Sequence, residues 1–417
     1  MFKFLHAADI HLDSPMKGLD RYEGAPVEEC RGATRRALEN LVGLAVDEKV
    51  AFVLIVGDLY DGDWPDFNTG LFFGMQMNRL RDAGIDVVMI RGNHDAASNM
   101  TKDLRLPDNV RVLDTSKPQT LTMDQVGVAI HGQSFPTRAV FDNLAKAYPD
   151  AINGLFNIGL LHTGVDGREG HDTYAPCTLD DMRCRDYGYW ALGHIHQRET
   201  LHKADPVIAF PGNIQGRSVR EQGPKGCLLV TVDEARNVTA ETKWLDVMRW
   251  QTSRIDVAGV IDSEDLLGRF REQFLKEFEG REDLLHALRV EFHGTCRAHA
   301  AASADWGHFS NEIRQIATEA SNGRVWVEKV VSKTRSPTGD PDGNADGPLA
   351  ELTALLEELR GDDIRLQDLG SRSLADLKAK VPKDLFDDLE NPERLRELLE
   401  QVGPMLMDRL GREVGAS

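Results

Sequence analysis

Cysteine is scarce in this chain of 417 residues: five are present, Cys30, Cys177, Cys184, Cys227 and Cys296. The number is odd and no Cys-x-x-Cys pair occurs. That argues against a disulfide framework and a thiolate-bound zinc site, and for a reducing compartment. Long apolar runs are missing too. None reaches the roughly 18 residues of a membrane span, so no membrane role is expected. The start, Met1-Phe2-Lys3-Phe4-Leu5, reads as a short strand rather than a signal peptide, and the expected location is cytoplasmic. Positive charge is in deficit: 49 Lys and Arg against 68 Asp and Glu give a formal net charge of −19. This argues against a broadly basic nucleic-acid binder. It leaves a nuclease open, because metal cations and a local basic strip can offset acidity where phosphate docks.

What is present is ordinary globular composition, 41% apolar and 28% charged, over a length that suggests two or three domains. Across 1–245 short apolar strands alternate with helical stretches, an α/β pattern. Strands are expected at 2–7, 51–56, 86–91, 126–131, 156–161, 189–192, 207–210 and 227–232. Helical spacing of Ala37, Leu38, Leu41, Leu44 and Ala45 marks a helix over 31–46, and 69–83 reads as another. Continuous apolar strands such as Phe52-Val53-Leu54-Ile55-Val56 imply burial on both faces, as in sheets covered by helices. Across 246–335 the pattern becomes a smaller α+β unit, read as a cap or DNA-binding domain. Its strands are expected at 249–257, 285–292 and 324–331. Its helices are expected at 263–277, with Ser263 as N-cap, and at 306–319. Residues 336–348, dense in Pro, Gly and Asp, form a linker. Residues 349–417 read as a helical partner-binding segment. One stripe is Leu349, Leu352, Leu355, Leu356 and Leu359. Asn391-Pro392 starts a second helix, with a stripe from Leu395 to Leu410.

Five short pieces carry the chemistry, each near the end of an expected strand: Asp9-x-His11, Gly57-Asp58, Gly92-Asn93-His94-Asp95, His162 and Gly193-His194-x-His196. In extended chain, residues i and i+2 point to one side, so Asp9 with His11, and His194 with His196, can each face one centre. Asp58 follows the most apolar strand in the chain. A carboxylate there is costly to leave unpaired, and a place between two cations accounts for it. Asn93 offers a neutral oxygen. His94 is then free to protonate a leaving oxygen, with Asp95 orienting it and holding its charge. Two divalent cations in such a set can clamp the attacking and leaving oxygens of a phosphate ester. Carboxylate, amide and imidazole donors suit manganese, iron or zinc.

This set resembles the calcineurin-like metallophosphoesterase superfamily. Longer strings resemble bacterial DNA-repair exonucleases of the SbcD type, and especially their YhaO-like branch: Leu5-His6-Ala7-Ala8-Asp9-Ile10-His11-Leu12-Asp13, Gly57-Asp58-Leu59-Tyr60-Asp61-Gly62-Asp63-Trp64, Leu161-His162-Thr163-Gly164 and Pro211-Gly212-Asn213-Ile214-Gln215-Gly216-Arg217. The resemblance implies a four-layer αββα sandwich carrying two ions, usually Mn2+. One would take Asp9, His11, Asp58 and His196, and the other Asp58, Asn93, His162 and His194. His94 would sit over the scissile phosphate with Asp95 behind it. Eukaryotic and archaeal relatives carry a further His in the loop after the bridging Asp, where this chain, like bacterial members, has Asp61.

The added architecture favours DNA over a small substrate, since small-molecule enzymes of this class need no acidic linker and helical tail. In the DNA nucleases such a tail packs on an SbcC-like coiled-coil ATPase, the partner expected for 349–417; a homodimer is compatible as well. Basic candidates for a phosphate path are Arg168, Arg183, Arg185, Arg198, Arg217, Arg220 and Lys225. Arg217 and Arg220 stand out because they follow the Pro-Gly-Asn-Ile-Gln turn. The rival readings are a phosphomonoester or cyclic-nucleotide hydrolase, and a scaffold without catalysis.

Overall fold

The computed structural model describes all residues except 15–24, 63–67, 98–104, 166–173, 280–283, 300–301, 303–304, 336–347, 374–394, 397, 400–401, 404–405 and 407–417. Two compact units are present. One comprises Met1–Ser253, Phe274–Glu291 and Arg314–Val331, the other Arg254–Gln273, Phe292–Ile313 and Ser332–Ser417.

The first unit holds two six-stranded sheets. One contains β1 (Phe2–Ala7), β2 (Phe52–Val56), β3 (Asp86–Ile90), β4 (Val110–Val112), β11 (Gly226–Val232) and β12 (Val238–Trp244), in the order β12-β11-β1-β2-β3-β4. The other contains β5 (Gln119–Met123), β6 (Val128–Gly132), β7 (Phe156–His162), β8 (Tyr189–Gly193), β9 (Glu199–His202) and β10 (Val207–Phe210), in the order β5-β6-β7-β8-β10-β9. Within the sheets β1 to β4 run parallel, as do β6, β7, β8 and β10. Period-2 alternation splits each strand between two cores. Phe4, Phe52, Leu54, Val88 and Ile90 pack with Ile130, Ile158, Leu160 and Tyr189 in a shared core. Leu5, Val53, Ile55 and Val87 face Leu38, Leu41, Phe73 and Met77 of α1 (Ala33–Asp47) and α2 (Asn68–Asp82). Leu161, Trp190 and Leu192 face Tyr148 and Met182, the latter on α3 (Leu179–Arg183). Helix, sheet, sheet and helix make the four-layer αββα sandwich. Each fully buried large aliphatic or aromatic side chain contributes about 1.5–3 kcal/mol.

A three-stranded sheet has the order β13 (Met248–Asp256), β14 (Leu285–Thr295), β15 (Val325–Arg335). In the first unit, Met248, Trp250, Ala287 and Trp326 pack with Cys30 and Ala33. The helix expected over 263–277 runs Ser263–Phe278. Its cap is Asp262 rather than Ser263: the Asp262 carboxylate accepts the Asp265 N–H at 2.9 Å, a position better placed to satisfy an orphan amide of the first turn.

In the second unit the leucine stripe of helix Pro348–Gly361 divides. Leu356 and Leu359 are buried, as are Leu366 and Leu395, whereas Leu355, Leu369, Val402 and Leu406 are exposed. Residues 336–347 of the expected linker, Asn391-Pro392 and Leu410 lie outside the described residues. Among the described residues no helix is long and apolar enough to cross a membrane.

Candidate metal centre

Parallel strands release their loops at one end of a sheet, and ligands of α/β proteins gather there. All five chemical pieces follow the C-terminal ends of β1, β2, β3, β7 and β8. The loops after β1 and β2 are zipped together: Asp9 N–H donates to Gly57 O at 3.1 Å and His11 N–H to Asp58 O at 3.0 Å. The backbone here is unusual. Asp9, His11, Asp58 and His194 have φ of 51°, 45°, 51° and 100°. Residues other than glycine pay of order 1–3 kcal/mol each for such a conformation, and the strain collects where function needs it.

His196, His11 and Asp9 form one donor group and Asp58, His162 and His194 another, each with ligand atoms within 4.8 Å of one another. The ring tautomers follow from their outer partners. His196 Nδ1 lies 2.8 Å from Glu221 Oε1, so it carries the proton and its Nε2 presents a lone pair. That Nε2 faces His11 Nε2 at 3.2 Å. His162 Nδ1 lies 3.0 Å from the Val56 carbonyl, which only accepts. In the neutral ring its Nε2 therefore turns a lone pair toward Asn93 Oδ1 at 3.0 Å and Asp58 Oδ2 at 3.4 Å. The same Asp58 Oδ2 is 3.9 Å from His11 Nε2, between the two groups. Imidazole nitrogens and carboxylate oxygens gathered in a buried pocket are what a cation satisfies. The residues fit two divalent ions, one on Asp9, His11, His196 and Asp58, the other on Asp58, Asn93, His162 and His194.

A proton competes with a cation for His162 Nε2. Burial pushes His162 down, but neighbouring Asp58 outweighs it and lifts the ring to about 9. Burial alone would raise Asp58, yet His162 and His11 hold it well below the usual carboxylate range. Burial, only partly offset by Asp61, lowers His11 to about 4, which keeps that ring neutral and able to ligate. His194 N–H donates to both Asp9 oxygens at 3.1 Å, closing the centre from the second sheet. Close approach needs glycine at Gly57, where φ is +81° and a Cβ would lie 2.3 Å from His162 Nδ1.

His94 and Asp95 lie in a short turn of helix, Asn93–Ala97. The orienting role expected of Asp95 falls to Asp61, whose Oδ1 is 2.7 Å from His94 Nδ1. The Asp95 carboxylate instead accepts the N–H groups of Tyr60 at 2.9 Å, Gly92 at 3.1 Å and Leu59 at 3.2 Å. It ties the loops after β2 and β3 together, and burial and Asp58 raise it to about 6. Asp61 also accepts from Ser14 Oγ at 2.6 Å.

Arg217 borders the centre. Its guanidinium donates to Glu221 at 2.8 Å and pairs with Asp61 at 3.5 Å. Arg220 is exposed on the next turn. Of the other basic candidates, Arg185 joins Phe156 around a polar cleft at the opposite end of β7 from His162. Arg183 is an exposed partner of Asp180, Arg198 lies over the Trp244 ring, and Lys225 donates to His196 O at 3.1 Å. Arg168 lies outside the described residues. Sequence reasoning missed Glu221 and the Asp61 pairing. Each sits in a loop without periodic pattern, and only the fold brings it to its histidine.

Residues 2–198 match the family described as calcineurin-like phosphoesterase, and residues 250–335 match the middle domain of metallophosphoesterase YhaO. The chain belongs to the calcineurin-like metallophosphoesterases. It is 34% identical over 276 residues to the uncharacterized metallophosphoesterase YhaO of Bacillus subtilis, covering 66% of this chain and 67% of that one. It is 27% identical over 221 residues to the DNA double-strand break repair protein Mre11 of Saccharolobus solfataricus, 51% of this chain and 54% of that protein. It therefore spans little more than half of that relative's length. To a subunit of the Bacillus subtilis nuclease SbcCD it is 24% identical over 287 residues, 59% of this chain and 69% of that protein.

Proposed function

We propose that this metallophosphoesterase is a two-metal, Mn2+-type DNA phosphodiesterase, the nuclease subunit of an SbcCD-like repair complex. The observation that carries the reading is Asp58 Oδ2 placed between His11 and His162, with His94 held alongside by Asp61. A bound cation pair supplies a nucleophile at neutral pH and offsets phosphate charge. The chain does the rest. Asp58 and the four imidazoles fix the centre, and Glu221 and the Val56 carbonyl set which ring nitrogen faces it. His94, with Nδ1 committed to Asp61, keeps Nε2 for the leaving 3′ oxygen. Arg217 and Arg220 serve as phosphate contacts in this reading.

Support for DNA comes from the similarity to Mre11, a DNA double-strand break repair protein, and to the nuclease SbcCD. Support for a coiled-coil ATPase partner comes from Leu355, Leu369, Val402 and Leu406, exposed in the 349–417 segment, where an amphipathic surface suits a helical partner. The test is purified protein with Mn2+ on end-labelled DNA, alone and with its ATPase. Cleavage is expected. Turnover of phosphomonoesters or cyclic nucleotides with none of DNA gives the site to the rival reading.

A further inference from the structure

We propose that Phe141 and Tyr174 form a ledge on which an unpaired nucleobase stacks beside the phosphate at the metal centre, a subsite that rests on the DNA reading above. Four rings run outward from the centre. His162 and His194 have centroids 5.2 Å apart, Tyr174 meets His194 edge-on at 5.6 Å, and Phe141 lies tilted 6.4 Å from Tyr174. Exposure climbs along the row: His162 is fully buried, Tyr174 is half-buried and Phe141 is 73% exposed.

A single exposed phenylalanine on a loop is ordinary. Two features set this one apart. The first is the frame. Gly164 N–H donates to Tyr174 O at 2.9 Å, Ala175 N–H to Val140 O at 2.7 Å, and Thr163 Oγ1 to Ala175 O at 2.7 Å. Val140 is itself buried in the outer core. The chain beside each ring is therefore pinned to the segment that leaves β7 just after His162. The second is charge. At a net −19 the protein as a whole repels a polyanion, so the phosphate-driven affinity of basic proteins is weak here. Aromatic faces bind any base without charge. A base adjoining the phosphate at His194 is within reach of Tyr174, and Phe141 extends the surface by one ring.

The experiment measures binding of a single strand carrying a fluorescent adenine analogue, against the same strand with an abasic spacer in its place. The full chain is used with Mn2+ in a His94→Ala background, which keeps the strand intact. The analogue's emission should be quenched on binding. Phe141→Ala should weaken binding of the base-bearing strand about tenfold, the usual scale of base–aromatic stacking, and leave the abasic strand's affinity where it was. Phe141→Trp should bind at least as tightly as the parent. Equal affinities of Phe141→Ala and its parent for the base-bearing strand overturn the ledge, as does a parent that treats base and abasic strands alike. Cleavage by protein retaining His94 is scored separately. Quenching without cleavage keeps the ledge and removes the nuclease, whereas cleavage with no effect at Phe141 does the reverse.

Discussion

Asp61 Oδ1 lies 2.7 Å from Nδ1 of His94. This hydrogen bond raises the His94 pKa above its ordinary value, against the opposing effect of burial. A general acid must be protonated, so the rate is lost as pH rises through the His94 pKa. Asp61→Asn removes the charge and lets His94 fall back. The kcat–pH profile should then lose its alkaline limb at lower pH than wild type, and kcat near neutrality should drop by roughly 10²-fold. Bound metal should be unchanged. A profile that does not move takes Asp61 out of the proton step.

Glu221 acts at the other edge of the centre, through His196. Its Oε1 takes the His196 Nδ1 proton at 2.8 Å, and its Oε2 takes Asn213 Nδ2 at 2.9 Å. Burial would raise this carboxyl, but His196 and Arg217 hold it well below the usual range. Outer partners of this kind are worth about 10–100-fold in metal affinity. Glu221→Gln should therefore weaken one of two metal-binding steps by that factor in a calorimetric titration and spare the other. Equal losses at both steps, or none, would show that the carboxylate does not orient the ligand.

The candidate ligands are legible because they follow runs such as Phe52-Val53-Leu54-Ile55-Val56, whose continuous burial marks an internal parallel strand. The strands without such runs are not. β5 and β12 are edge strands with mostly solvent-facing polar side chains, as in Thr239-Ala240-Glu241-Thr242-Lys243, and β4 has three residues. Within the site, the sequence suggests Asp95 as the group that orients His94 and holds its charge. Neighbours i and i+1 on a helical turn do not face each other, and Asp61, 2.7 Å from His94 Nδ1, arrives from the loop after β2. Glu221 and the aromatic pair Phe141–Tyr174 were invisible for the same reason: their meaning lies in contacts between distant segments.

Gly193 shows how little room the centre leaves. A Cβ there would lie 1.9 Å from Val56 O and 2.9 Å from His162 Nδ1. Val56 O is backbone and accepts the His162 proton, so neither atom can give way cheaply. Gly193→Ala should destabilise by about 1–3 kcal/mol, as overpacking does, and should lower metal occupancy because it displaces His162. Thermal unfolding and metal analysis check this together. A normal melting temperature with full occupancy would show that the β2–β8 contact yields at little cost.

His6 joins the two sheets just inside the centre. Its Nε2 lies 3.0 Å from Leu192 O, which only accepts, so Nδ1 takes the Tyr189 hydroxyl proton at 2.9 Å. Both ring positions are filled by a neutral imidazole, and burial lowers its pKa from 6.5 to about 3. Between those values the unfolded chain binds a proton that the folded chain refuses. Stability is therefore fully present above the unfolded value and is lost as pH falls from 6.5 toward 3, by up to about 1.4 kcal/mol per pH unit from this one group. Chemical unfolding at pH 6.5, 5.5 and 4.5 should show wild type losing stability more steeply than His6→Asn, with a difference approaching one proton. The variant is expected to be less stable at neutral pH, since Asn cannot span both partners, so the slope and not the absolute value is the readout. Parallel slopes would mean that His6 takes up its proton in the folded protein, and that the hydrogen bonds to Leu192 and Tyr189 do not hold it neutral.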